Sequence, residues 1–184
     1  MSSGVDHLYV ITGGPGSGKT TLVDALEQDG FARSMEAGRG IIQDQRAICG
    51  PGLPWEDRVH FAELMLSWEM RSHHIARTRC VPVFMDRGIP DVIGYLRLTG
   101  LPIPAHVERA AELFRYNSLV FLAPPWPEIF QQDQERRQDY EEAIRTFDAM
   151  REVYGELGYR LVELPRSALP DRQQFVLATI NGLR

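Results

Sequence analysis

Gly13-Gly14-Pro15-Gly16-Ser17-Gly18-Lys19-Thr20 fits the phosphate-loop pattern of Gly, any four residues, Gly, Lys, then Ser or Thr. An apolar run, Leu8 to Thr12, leads into it, and helical apolar spacing at Leu22, Val23 and Leu26 follows. The strand, loop and helix context that the pattern demands is therefore present. A plain glycine-rich turn would need neither the Lys-Thr pair nor those flanks.

The composition of the loop follows from its task. Gly13, Gly14, Gly16 and Gly18 permit backbone angles that turn several N–H groups towards one oxyanion, with Pro15, Ser17 and Thr21 completing the cradle. A helix starting near Lys19 adds the positive end of its dipole. Lys19 is expected to reach the β- and γ-phosphates as an exposed loop lysine, and the Thr20 hydroxyl to hold Mg2+ bridging them. Of the 20 basic residues only Lys19 is a lysine. A compact ammonium fits among phosphate oxygens where a planar guanidinium does not.

The chain has 184 residues, 43% of them hydrophobic and 24% charged, which predicts one soluble α/β domain over residues 1–184. No apolar run approaches the roughly 20 residues that cross a bilayer. Met1 to His7 lacks the basic start of a secretory signal. Membrane insertion is not expected, and a cytoplasmic location is. Cys49 and Cys80 are too few for a zinc site or disulfide framework and read as reduced, packed thiols. A net charge of −5 with no long arginine cluster argues against duplex nucleic acid as partner. A small anionic ligand in a local positive pocket fits better.

Apolar runs at Phe31 to Met35, Val81 to Met85, Ser118 to Ala123 and Arg160 to Leu164 read as four further strands. Helical patterns lie between them, at Ala37 to Ile48, Trp55 to Arg79, Asp91 to Thr99, Ala105 to Arg115 and Tyr140 to Leu157, and a last one closes the chain at Asp171 to Asn181. Phe61, Leu64, Met65, Trp68 and Ile75 are expected on one buried face of the long helix. Strands alternating with helices predict a parallel sheet covered on both sides. The polar stretch 128–139 has no core to cover and reads as a lid.

In such a sheet the ligand lies outside the carboxyl ends of the strands. The residues there are the phosphate loop, then Glu36 and Arg39, then Asp86 and Arg87, then Arg136 and Arg137 in the lid, then Arg166. Asp86 has two open roles, orienting magnesium with Thr20 or taking a proton from a substrate hydroxyl. Arg87, Arg136 and Arg137 are candidates to stabilise the transferring phosphoryl group. Glu36 and Arg39 are expected on the acceptor side, and Arg166 is placed to stack on the base. Glu69, His73 and His74 carry metal-like spacing but read as a solvated group on an exposed helix face. Trp126 reads as a core plug.

The loop, Glu36-Ala37-Gly38-Arg39, Asp86-Arg87-Gly88, the run Val120 to Ile129, Glu135-Arg136-Arg137 and Leu161 to Arg166 together resemble bacterial predicted ATPases. These are grouped with the nicotinamide-riboside kinase domain of the NAD-biosynthesis regulator, among the P-loop kinase-like NTPases. The resemblance covers nearly the whole chain. It implies a three-layer fold with a five-stranded parallel sheet, ATP or GTP with magnesium, and a kinase-like lid; unlike the regulator, the chain leaves no room for an adenylyltransferase or DNA-binding domain. The expected activity is γ-phosphoryl transfer to an unidentified hydroxyl-bearing small molecule. The alternative is a nucleotide-dependent ATPase or switch acting through a partner.

Overall fold

A computed structural model describes residues 4–130 and 139–182. Strand β1 (Leu8–Gly13) forms the centre of a five-stranded parallel sheet in the order β2-β3-β1-β4-β5. Its partners are β2 (Ala32–Arg33), β3 (Val83–Asp86), β4 (Leu119–Ala123) and β5 (Arg160–Glu163). Side chains alternate across a strand, and here each alternate set meets a helix layer. Leu8, Val10, Val83, Met85, Val120 and Leu122 pack with Phe147, Met150 and Tyr154 of helix α6 (Tyr140–Glu156). On the opposite face Tyr9, Ile11, Phe84 and Phe121 pack with Leu22 and Leu26 of α1 (Lys19–Gln28) and Val176 of α7 (Leu169–Asn181). The expected three-layer α/β architecture is the one observed.

Helices α2 (Ala37–Ala47), α3 (Arg58–Ala76), α4 (Ile89–Leu98) and α5 (Ala105–Leu113) build a second apolar body beside the sheet. Their boundaries differ from the sequence expectation where a side chain caps a helix end. Helix α3 begins at Arg58 rather than Trp55 because the Asp57 carboxylate accepts from the His60 N–H at 2.9 Å. Helix α4 begins before Asp91, whose carboxylate reaches back to the Gly88 N–H at 3.1 Å.

Helix α3 also corrects the single-face reading. It packs on α2 through one side and on α4 through another, so Ile75 is 46% exposed while Glu69 and His73 are buried. The solvated cluster expected at Glu69, His73 and His74 is therefore absent; only His74 is exposed. Cys49 and Cys80 are free and exposed rather than packed. Among the described residues, no helix is long and apolar enough to cross a membrane.

Candidate active site

The central strand delivers the loop. Gly18, the residue before α1, has φ 74°, a left-handed conformation that disfavours side chains and aims the chain into the helix. Gly14 is required for a different reason from the one its sequence suggests. It is not in the left-handed region; a Cβ there would lie 2.3 Å from the Ala143 carbonyl of α6. The Lys19 ammonium donates to the Gly14 carbonyl at 2.5 Å and to Ser17 Oγ at 3.2 Å. Lys19 is thus buried, not the exposed lysine that its loop position implies, and it braces the loop as well as charging it.

Asp86 closes β3, next to the loop because β3 pairs with β1 in the register Ile11 to Asp86. The Thr20 hydroxyl donates to Asp86 Oδ2 at 3.0 Å. Asp86 is fully buried, and its Oδ1 has no hydrogen-bond partner among the described residues. Burial, then the nearby Glu36 carboxylate, pushes the Asp86 carboxyl up, while Lys19, Arg87 and the Thr20 bond pull it down. An orphaned carboxylate oxygen beside a hydroxyl, with a second carboxylate close by, suits a hard divalent cation that takes its other ligands from phosphates and water. Thr20 and Asp86 fit a magnesium ion in this sense.

Behind Asp86 lies an ion-pair cluster. Arg87 adopts φ 76°, uncommon for a side-chain-bearing residue. Its Nε lies 3.3 Å from Glu36 Oε1 and its guanidinium donates to Asp91 Oδ1 at 3.0 Å. Asp91 also accepts from Thr12 Oγ1 at 2.6 Å and from the Tyr154 hydroxyl at 2.7 Å. Buried beside these carboxylates, Arg87 remains fully protonated: burial works against its charge, but Asp91 and Glu36 outweigh it.

Two cavities open onto this centre. One, of about 460 Å³, is lined by the loop from Pro15 to Thr21, with Glu36, Arg39, Trp126 and Arg172. The other, of about 780 Å³, is lined by Arg87, Asp91, Glu69 and Tyr95 and by residues of α2, α3 and α6. Pro15 and Glu36 line both. Asp86 lines neither, and Arg39, expected on the acceptor side, lines the loop cavity.

Arg166 is exposed and does not line the loop cavity. Arg172 of α7 does so instead: it is buried, donates to the Ser17 carbonyl at 3.0 Å and lies 6.0 Å from the Trp126 ring centre. Trp126 is accordingly a cavity wall rather than a core plug. Arg136 and Arg137 lie outside the described residues. Sequence reading also missed Asp91 and the burial of Glu69, since neither carboxylate belongs to a short motif.

A phosphate loop between the central strand and α1, an acid at the end of the adjacent strand and the order β2-β3-β1-β4-β5 define a P-loop kinase-like NTPase. Within that class the chain belongs to the family described as "AAA domain", which matches residues 8–172. Among solved structures it is similar to the NadR protein in complex with NR, with a TM-score of 0.68 and 22% identity over 95% of this chain. It spans only 50% of the NadR chain. It is also similar to deoxyadenosine kinase from M. mycoides, solved with the products dcmp and dcdp (TM-score 0.65, 11% identity, covering 95% of this chain and 99% of that one). Thymidylate kinase from Ehrlichia chaffeensis gives 0.64 at 15% identity, covering 94% and 97% of the two chains. At these identities the structural likeness concerns the fold. No curated protein matches the chain in sequence. The resemblance to P-loop kinase-like NTPases grouped with the regulator's kinase domain thus holds for family and fold.

Proposed function

We propose that the chain is an ATP-dependent small-molecule kinase, with ATP (GTP being the other purine nucleotide to test) in the loop cavity and a hydroxyl-bearing acceptor in the second. The observation that carries this reading is that Glu36 lines both cavities, where a base between donor and acceptor has to be. The acceptor hydroxyl attacks the γ-phosphorus and gives its proton to Glu36. An oxygen–phosphorus bond forms, and the bond from the γ-phosphorus to the β–γ bridging oxygen breaks, its electron pair leaving with ADP. Magnesium, when bound at Thr20 and Asp86, neutralises phosphate charge.

This divides the two roles open to Asp86. Its bond from Thr20 and its Oδ1, unpartnered among the described residues, suit metal orientation; since Glu36 lines the second cavity and Asp86 does not, the proton falls to Glu36. Arg87 holds Glu36 in place, Lys19 binds phosphate, and Arg136 and Arg137 of the lid segment are assigned to the transferring group. A cavity of about 780 Å³ beside the loop favours an acceptor over a switch that answers only to a protein partner.

The test is a Glu36→Gln variant assayed against a panel of nucleosides, sugars and vitamins. Its kcat should fall by about 10²–10⁴-fold with nucleotide affinity retained. Absence of any phosphorylated product from the wild type, with nucleotide bound normally, refutes the kinase reading.

A further inference from the structure

The second cavity has a composition that its neighbour lacks, and it bears on what the acceptor is. Its inner wall carries Phe61 and Tyr95, ring centres 5.4 Å apart and tilted at 64°. Trp55, 52% exposed, stands at the outer end with the Arg46 guanidinium 5.2 Å from its ring centre. Arg46 comes from α2, Arg58 from α3 and Arg145 from α6, so three separate elements converge their arginines on one space. Among the described residues neither Arg46 nor Arg58 has a carboxylate partner, and Arg145 reaches only Glu141, at 4.0 Å.

The carboxylates lining the same cavity do not cancel that charge. Glu36 and Asp91 are engaged by Arg87. Glu69, 2% exposed, is held towards its neutral form first by burial and then by Asp91 and Asp86. With Glu69 neutral, Glu36, Asp91 and Glu142 set three negative charges against the four positive ones of Arg46, Arg58, Arg87 and Arg145. Among the described residues, two buried polar atoms of this lining also lack partners, Glu69 Oε2 and the Tyr95 hydroxyl. Both side chains line the cavity, and an unmet buried polar group costs free energy until a ligand satisfies it.

The charges are separated along the cavity. Glu36 precedes α2 and Arg46 lies near its far end, which at 1.5 Å per residue sets them roughly 15 Å apart along the helix axis. Along α2, therefore, the Glu36 end carries a carboxylate and the Arg46 end a guanidinium.

We infer that the acceptor in this cavity is a planar-ring compound with an anionic group, phosphate or carboxylate, at the end remote from its reacting hydroxyl. The ring lies against Trp55, Phe61 and Tyr95, polar atoms on its edge meet Glu69 and the Tyr95 hydroxyl, and the anion is held by Arg46, Arg58 and Arg145. A cavity of about 780 Å³ is larger than a bare sugar needs and suits a ligand of that compound type. The inference rests on the reading of this cavity as the acceptor site.

The test is calorimetric binding to the full chain with the loop cavity filled by magnesium and the non-hydrolysable analogue AMP-PNP. Four probes separate ring from charge: uridine 5′-monophosphate, uridine, ribose 5-phosphate and ribose. The monophosphate should bind about tenfold or more tightly than either uridine or ribose 5-phosphate. Arg58→Ala, remote from the loop cavity, should erase the preference over uridine, and Trp55→Ala the preference over ribose 5-phosphate. Equal binding of uridine and its monophosphate, preferences untouched by both variants, or no binding of any probe at millimolar concentration overturns the inference. Because binding is read without turnover, the pattern survives a failure of the kinase reading. Phosphoryl transfer to uridine or ribose as fast as to the monophosphate keeps the kinase and removes the anion requirement.

Discussion

Glu69 sits under four charged groups of the site with one carboxyl oxygen unpartnered among the described residues, and its proton equilibrium responds accordingly. Burial raises its pKa well above the ordinary value of 4.5; Asp91, Asp86 and Glu36 add to the rise and Arg87 opposes it. The native state then holds a proton that the unfolded state releases, so stability falls as pH increases. The contribution of Glu69 is complete below pH 4.5 and declines from there until the raised folded value is passed. Glu69→Gln, nearly the same shape without the proton, should lose that slope. Its melting temperature should match the wild type near pH 4.5 and exceed it increasingly towards pH 8. A constant difference across that range would show that Glu69 does not bind the proton. Lys19 has a similar lesson at the same scale: buried and bonded to Gly14 and Ser17, its replacement by Ala should disorder the loop locally as well as abolish turnover, seen as faster amide exchange at Gly14, Gly16, Ser17 and Gly18.

At the level of elements, Asp91 ties the start of α4 to β1 through Thr12, to α6 through Tyr154 and to the turn after β3 through Arg87. Asp91→Ala leaves the buried Arg87 guanidinium with Glu36 alone and strands two hydroxyls, and should cost about 3–5 kcal/mol in urea unfolding. Asp91→Asn, which keeps the acceptor oxygen, should cost less. This knot was not legible in the chain, because its members lie up to 79 residues apart from Asp91 and each reads alone as an ordinary polar residue. The strands and the loop were legible because their information is local: continuous apolar runs for burial on both faces, glycines and Lys-Thr for phosphate. Local pattern failed where tertiary packing decided. Ile75 follows the helical period yet faces outward, while Glu69 and Arg172 break every compositional rule of burial and are buried. Arg166 reads as the base-stacking residue from its place after a strand, but it is exposed, and α7 turns Arg172 onto the loop instead.

Taken as one body, the molecule should respond to nucleotide through linkage between binding and folding. Mg-ATP at about 100 times its Kd adds about 2.7 kcal/mol, which for a chain of this size is a rise of roughly 5–10 °C in Tm. Chelating magnesium should remove most of the rise if Thr20 and Asp86 hold the ion, and an unchanged rise would mean that the loop binds phosphate without it. That the two cavities adjoin at Pro15 and Glu36 has a chemical use. A single synthetic molecule joining a nucleoside polyphosphate to an acceptor fragment would thread both chambers, the second half binding at the high effective concentration set by the tether. Such a bridge inhibitor would compete with ligands of either cavity, and the tether length that binds best would measure the gap that the proposed phosphoryl transfer has to cross.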